Sequence, residues 1–139
     1  KSLRKENISK LSSIIAKIPI IREFVNNQQK KIVKNKIKMN VGCVIDGRDI
    51  GSKVFKEAKI KLFINVSSKI RAKRRHKQLI ALGEKSIYSK ILKEINLRDK
   101  ADKNRKHSPL VIPKGAIIID NSDTFKKTLK SINKALINI

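Results

Sequence analysis

Long apolar runs, aromatic side chains and cysteines are all scarce in this sequence of 139 residues. No apolar run approaches the roughly 20 residues needed to cross a bilayer, so we expect no membrane-spanning segment. Lys1–Lys10 is charged and polar with no apolar stretch behind it, which argues against a signal peptide. Cys43 is the single cysteine, so no internal disulfide can form and a reducing cytoplasm is the expected compartment.

Acidic residues are also few: 11 stand against 35 lysines and arginines, which gives a formal net charge of +24. Such an excess is typical of proteins that bind nucleic acids. The lysines, however, are spread along the whole sequence, and aromatic residues make up 4% of it, too few to offer stacking platforms for bases. We therefore interpret the charge as a solvated surface and expect no nucleic-acid partner, with a basic RNA-binding module as the alternative.

Three short, β-branched apolar runs alternate with longer helical patterns. The runs are Val41–Ile45, Ile60–Val66 and Ala116–Ile119. Runs of this kind without strict alternation are typical of strands buried on both faces, and Cys43 would be a buried residue of the first strand. Strands that alternate with helices predict an α/β fold, with a parallel sheet flanked by helices.

Five helices are predicted from apolar spacing and from capping residues. The first ends near Pro19, and the second runs from Pro19 to about Lys34 with an apolar face of Ile21, Phe24, Val25 and Ile32. The third is capped by Ser67 or Ser68 and stops at Gly83, and the fourth is capped by Ser86 and reaches about Arg105. The last runs from about Asp123 to Leu136 with an apolar face of Phe125, Leu129, Ile132 and Leu136.

The first predicted strand ends in Asp46-Gly47-Arg48-Asp49, at the place where ligands bind in open parallel sheets. Arg48 could hold a phosphate. Asp46 and Asp49 could hold a hydrated metal ion or a hydroxyl group. The alternative is a polar turn with a surface ion pair.

The fourth predicted helix turns charged where its inward stripe should stay apolar. The stripe begins with Ile87, Ile91 and Ile95. Its next members at helical spacing are Arg98, Asp102 and Arg105, which point the same way. Two guanidinium groups beside a carboxylate would suit an anionic nucleotide, and the alternative is a helix end that emerges into solvent.

A phosphate-binding loop is missing from these 139 residues. The loop would read G-x-x-x-x-G-K-[ST] between a strand and a helix. The segment Gly47–Lys53 has the wrong spacing, and Gly83–Ser86 also fails the pattern.

Together the blocks resemble bacterial cytidylate kinases over almost the whole chain. The most specific block is D-G-R-D-x-G at residues 46–51, where adenylate kinases carry D-G-F-P-R. The other segments that carry the resemblance are Ile18–Glu23, Arg71–Arg75, Glu94–Arg105, Ser108–Leu110 and the strand that ends at Asp120.

The resemblance implies a P-loop kinase of the nucleoside monophosphate kinase fold. Such an enzyme transfers the γ-phosphoryl group of ATP, with Mg²⁺, to CMP or dCMP, and we expect a monomer. UMP or AMP as the acceptor is an alternative, and the preference between CMP and dCMP stays open. The chain would be the carboxy-terminal part of a kinase domain, with a helical part at about 1–36, a core at about 40–139 and a lid at about 71–105. The phosphate-binding loop would precede Lys1, so these residues alone should be inactive.

The resemblance also assigns roles to single residues. Those that match the family's CMP site are Ser13, Arg22, Arg48, Asp49, Arg98, Asp102 and Arg105. Arg22, Arg48 and Arg98 would hold the acceptor phosphate. Asp102 and Arg105 would contact the sugar, and Ser13 would contact the base.

Asp46 and the arginines near residue 71 complete the expected site. Asp46 would help to hold hydrated Mg²⁺, through water. Arg74, with Arg71 or Arg75, would belong to a lid that compensates charge in the transition state. The resemblance thus places Arg48, Arg74, Arg98 and Asp46 in catalysis. The family usually has arginine where this chain has Ala101 and Lys103, so lid closure could be weaker.

Overall fold

A computed structural model describes residues 6–16, 18–106 and 108–137 of the chain. The chain divides into two compact units, Lys1–Ile50 and Gly51–Ile139. The elements in order are α1 (Glu6–Ile15), α2 (Pro19–Lys38), a short π-helix (Ile50–Val54), β1 (Leu62–Asn65), α3 (Ser68–Ala81), α4 (Tyr88–Asn104), β2 (Ile117–Asp120) and α5 (Phe125–Ile137). Within those ranges no helix is long and apolar enough to span a membrane. The predicted subdivision into a helical part, a core and a lid stays a prediction.

Pro19 opens α2, as the sequence predicts. It occupies the first turn, where its fixed backbone angle suits a helix and its missing N–H costs no hydrogen bond. The helix continues to Lys38, further than predicted, and basic side chains in the last turn complement its dipole. Most of the predicted apolar face is not buried, because Phe24, Val25 and Ile32 are exposed.

The first predicted strand, Val41–Ile45, is not a strand in the structure. The segment has no regular structure, Val44 is fully exposed, and Cys43 is exposed as well. A strand needs a neighbour that satisfies its backbone hydrogen bonds. In the part of the chain that the structure describes, the sheet consists of β1 and β2 alone. The predictions of this strand and of a buried Cys43 are therefore wrong, because β propensity cannot replace a partner strand.

The second and third predicted strands form a parallel pair, which confirms the α/β class. Leu62 lies opposite Ile117, and Asn65 lies opposite Asp120. The connection between the strands contains α3 and α4, since parallel neighbours require a long crossover. Ile119 is 3% exposed and anchors the sheet in the small core. The carboxyl ends of both strands lie at the same edge, where ligands bind in folds of this class.

Capping residues set the ends of α3 where the sequence predicts them. The Ser67 hydroxyl accepts a hydrogen bond from Ile70 N at 3.3 Å. Gly83 has a φ of 74°, the left-handed conformation that glycine adopts most easily after a helix. The helix packs against α4, and Ala72 of α3 is completely buried.

The predicted cap of α4 is wrong. The helix begins at Tyr88, and Ile87 precedes it without a side-chain cap. The Ser86 hydroxyl lies 2.8 Å from Nδ1 of His76 on α3 instead. This contact between Ser86 and His76 depends on the packing of α4 against α3, so it is not visible in the local sequence.

Removal of the Ser67 cap should destabilise the chain measurably. We expect Ser67→Ala to lower the free energy of unfolding by about 1 kcal/mol, because one amide of the first turn loses its acceptor. Ser67→Asp keeps an acceptor oxygen and should retain the original stability. Urea denaturation of the three proteins would measure this, and equal midpoints for Ser67 and Ser67→Ala would contradict it.

The buried face of α5 differs from the predicted one. Phe125 and Leu129 of the predicted face are 80% and 45% exposed. Thr128 is buried, and its hydroxyl lies 3.0 Å from Oδ1 of Asn121. Since α5 packs against β2, the contact with the sheet decides which side is covered. Ile132 is the predicted member that is partly covered.

Candidate functional site

The first polar cluster joins the start of α2 to the D-G-R-D segment. Nη1 of Arg22 donates to Oδ2 of Asp49 at 2.5 Å. Nε of Arg22 donates to the carbonyl of Ala16 at 3.1 Å. The side chains of Arg22 and Asp49 are 16% and 13% exposed. Because the guanidinium is held from two directions, its position is fixed without a ligand, which lowers the cost of ordering it on binding.

Gly47 of the D-G-R-D segment lies close against the side chain of Ile50. A methyl group on Gly47 would lie 2.5 Å from Cγ1 of Ile50, closer than real Cβ contacts allow. Arg48 and Asp49 follow with partly covered side chains, whereas Asp46 is exposed. The ion pair of Asp49 is largely buried and reaches back to Arg22, so it differs from a surface pair between turn residues.

The second polar cluster lies at the end of α4. Arg105 donates from Nη2 to the carboxylate of Asp102, and the two side chains are 19% and 15% exposed. The carbonyl of Asp102 accepts a hydrogen bond from Leu110 N at 2.8 Å. This bond ties the segment after the helix back onto its last turn. A helix end that simply emerges into solvent would not show such a largely buried pair.

Arg98 and Ser13 complete the predicted acceptor residues. Arg98 lies one turn before Asp102 on α4 and has an exposed side chain. Ser13 lies in α1, but its side chain falls outside the described part of the structure. The structure thus brings together Arg22 with Asp49 in one unit, and Asp102 with Arg105 in the other.

The three arginines of α3 have three different partners. Arg71 donates from both Nη atoms to the carboxylate of Asp99 on α4, with 3.0 Å from Nη1 to Oδ1. Nη2 of Arg74 donates to the carbonyl of Asp123 at 2.7 Å. Nη1 of Arg75 donates to Oε1 of Gln78 at 3.0 Å, within the same helix. These contacts separate Arg71, which joins two helices, from its two neighbours in the predicted lid.

Asp99 is a residue whose role the sequence prediction missed. It follows Ile95 by four positions and Ile91 by eight, so it continues their inward stripe on α4. A carboxylate on such a stripe needs a cationic or hydrogen-bonding partner. This signal was present in the sequence, but nothing in it identified Arg71 as the partner. Hydrogen bonds with Asp99 raise the pKa of the Arg71 guanidinium above its ordinary value, although partial burial opposes the shift.

A resident metal site is not built into the described residues. None of them form a group of three or more His, Cys, Asp or Glu side chains that could hold a metal ion. Mg²⁺ needs no such group when it arrives with a nucleotide, because it keeps several waters and binds substrate phosphates plus one or two carboxylates. Asp46 is exposed, so its carboxylate is accessible to the water ligands of such an ion.

Parallel strands joined through crossover helices are typical of α/β folds, whose ligands bind beyond the carboxyl ends of the strands. The chain belongs to the cytidylate kinase family: the profile described as Cytidylate kinase matches residues 1–139. This confirms the resemblance, and the family has the predicted nucleoside monophosphate kinase fold.

Individual relatives are similar over most of the chain. The cytidylate kinase of Caldanaerobacter subterraneus subsp. tengcongensis is 40% identical over 135 residues, which cover 96% of this chain and 58% of the relative. The cytidylate kinase of Rickettsia akari is 45% identical over 121 residues, which cover 87% of this chain and 53% of the relative. The cytidylate kinase of Chlamydia caviae is 37% identical over 134 residues, which cover 94% of this chain and 57% of the relative. The chain therefore spans a little over half the length of these relatives.

Proposed function

We propose that the protein transfers the γ-phosphoryl group of ATP to CMP or dCMP, and that this chain supplies the residues on the acceptor side. The observation that carries the proposal is the largely buried pair of Arg22 and Asp49 at the D-G-R-D segment. An arginine fixed by a carboxylate and a backbone carbonyl still has further N–H donors for a phosphate group. Membership in the cytidylate kinase family supports CMP as the acceptor.

The other residues have complementary tasks in this proposal. Arg48 and Arg98 bind the acceptor phosphate together with Arg22. Their positive charges offset the negative charge on the phosphate oxygens other than the one that attacks. Asp102 and Arg105 bind the sugar, and their mutual hydrogen bond orients both groups beforehand. Such positioning and charge compensation provide most of the rate enhancement in phosphoryl transfer.

Two further elements of the reaction concern the donor side. Mg²⁺, when bound with ATP, would neutralise charge on the phosphates, and Asp46 would accept hydrogen bonds from its water ligands. Arg74 would approach the donor phosphates from α3. Its bond to the carbonyl of Asp123 uses one N–H of Nη2, so further N–H donors of the guanidinium stay available for phosphate.

CMP is expected to protect the 139-residue chain against thermal unfolding. A ligand present at about 100 times its dissociation constant stabilises the folded state by about 2.7 kcal/mol, which is several degrees for a domain of this size. Cytidine serves as the matched control, because it lacks the phosphate that the arginines bind. UMP and AMP test the alternative acceptors.

The same assay separates the kinase from an RNA-binding module. Mixed-sequence RNA that protects the chain with a steep dependence on salt, together with no effect of CMP, would refute the proposal. Equal protection by CMP, UMP and AMP would refute the assignment of CMP as the acceptor while keeping the phosphate site.

A further inference from the structure

The ion pair of Arg71 with Asp99 is the feature that the proposed function leaves without a task. It joins α3 to α4, and its side chains are 33% and 24% exposed. Both Nη atoms of Arg71 bond to the two carboxylate oxygens of Asp99. The pair is therefore bidentate, whereas a lysine could make only a single-point contact.

A bidentate pair constrains the rotation of a helix as well as its distance. Two parallel N–H···O bonds favour a coplanar guanidinium and carboxylate, so the pair restricts how Asp99, and with it α4, can be oriented towards Arg71. The apolar contacts of α4 come earlier, where Ile91 is buried. Asp99 thus fixes the later part of the helix, which apolar packing holds less firmly.

That later part carries the second polar cluster. Arg98 directly precedes Asp99, and Asp102 follows it by three positions, about one helical turn. A roll of α4 at Asp99 would therefore carry the side chains of Arg98 and Asp102 with it. On the other helix, Ala72 follows Arg71 and is completely buried, so Arg71 starts from a firmly packed backbone.

We propose that Arg71 and Asp99 are positioning residues, which hold α4 in the orientation that presents Arg98, Asp102 and Arg105 to the nucleotide. The inference rests on the proposed function for its ligand, CMP. It gives Arg71 a task different from that of a lid arginine, which would contact ATP. The raised pKa of Arg71 agrees with a guanidinium committed to a carboxylate.

The structural part of the proposal can be tested without any nucleotide. Spin labels are attached to Lys73→Cys in α3 and Lys100→Cys in α4, both at exposed positions, in a chain that also carries Cys43→Ser. The labels report the distance between the two helices. We expect Asp99→Asn and Arg71→Lys to broaden the distance distribution. We expect the charge-swapped variant Arg71→Asp with Asp99→Arg to narrow it again. An unchanged distribution in both single variants would overturn the proposal.

The functional part is measured by CMP affinity in the same chain. We expect Asp99→Asn and Arg71→Lys each to weaken CMP binding by about tenfold, and the double variant to be no weaker than either single one. Lys127→Met is the matched control, since it removes an exposed pair with Asp123 at the start of α5 and should change neither readout.

The outcomes distinguish this inference from the proposed function. If the unaltered chain does not bind CMP, the proposal that CMP is the acceptor is wrong. The spin-label distances still show whether the pair of Arg71 and Asp99 orients α4. If the distances broaden but CMP affinity stays the same, Arg71 and Asp99 only stabilise the fold and the positioning role is wrong. If Arg71→Lys alters the affinity for ATP and Asp99→Asn alters nothing, Arg71 is a lid residue and the inference is also wrong.

Discussion

The 139-residue chain is expected to release ADP from ATP, CMP and Mg²⁺ at well below one turnover per second, although kinases typically reach about 1–100 per second. In the proposed function, its arginine–carboxylate clusters bind and orient the acceptor. The sequence contains no G-x-x-x-x-G-K-[ST] loop to hold the β- and γ-phosphates of the donor. Because phosphoryl transfer depends on positioning both substrates, half of the contacts should give far less than half of the rate.

A coupled assay of ADP release would measure this, with the full-length Rickettsia akari relative as the active control. The chain and the control must be compared at equal concentrations of folded protein. A turnover of about one per second or faster by the chain would show that donor binding needs no such loop in these residues, contrary to the proposed division of tasks.

Much of the fold could be predicted from the sequence, because several signals are local. Ser67 and Gly83 define the ends of α3 through their own side-chain and backbone chemistry. The runs that form β1 and β2 are β-branched and apolar, and the two strands pair with each other. Pro19 marks the start of α2 for a similarly local reason.

The predictions that failed depend on partners that are distant in the sequence. Val41–Ile45 has the composition of a strand but lacks a neighbouring strand among the described residues. Ser86 has the chemistry of a cap but bonds to His76 instead. The apolar stripe of α5 is real, yet contact with β2 covers Thr128 in preference to Phe125.

The candidate site was predictable in its membership and less so in its pairing. The D-G-R-D block named Asp49, the charged end of α4 named Asp102 and Arg105, and only the family resemblance named Arg22; the structure shows these residues as two largely buried pairs. The partner of each arginine was not visible. Asp49 bonds to Arg22 on α2, and Asp99, which carried no predicted role, bonds to Arg71. Pairing depends on how helices and loops pack, so spacing along one helix could identify only the Asp102–Arg105 contact.

Arg22→Met is expected to weaken CMP binding by about 100-fold, which corresponds to about 2.7 kcal/mol. The substitution removes a guanidinium that would donate hydrogen bonds to the acceptor phosphate. It also removes the charged partner of Asp49 from a largely buried ion pair. The free energy of unfolding should fall by about 2 kcal/mol for the second reason. Arg22→Lys keeps the charge but not the planar fork, so it should retain part of the stability and little of the affinity. Calorimetric titration with CMP and urea denaturation measure the two quantities.

A second substitution separates the two losses. Asp49→Asn in the Arg22→Met background removes a largely buried negative charge that has lost its ion pair with Arg22, so it should recover part of the stability. It should not recover CMP affinity, because no guanidinium returns to the phosphate. Lys127→Met again serves as the control, since its exposed pair with Asp123 should affect neither quantity. If Arg22→Met binds CMP as tightly as the original chain, then Arg22 only anchors the D-G-R-D segment, and the acceptor phosphate must be bound by other residues.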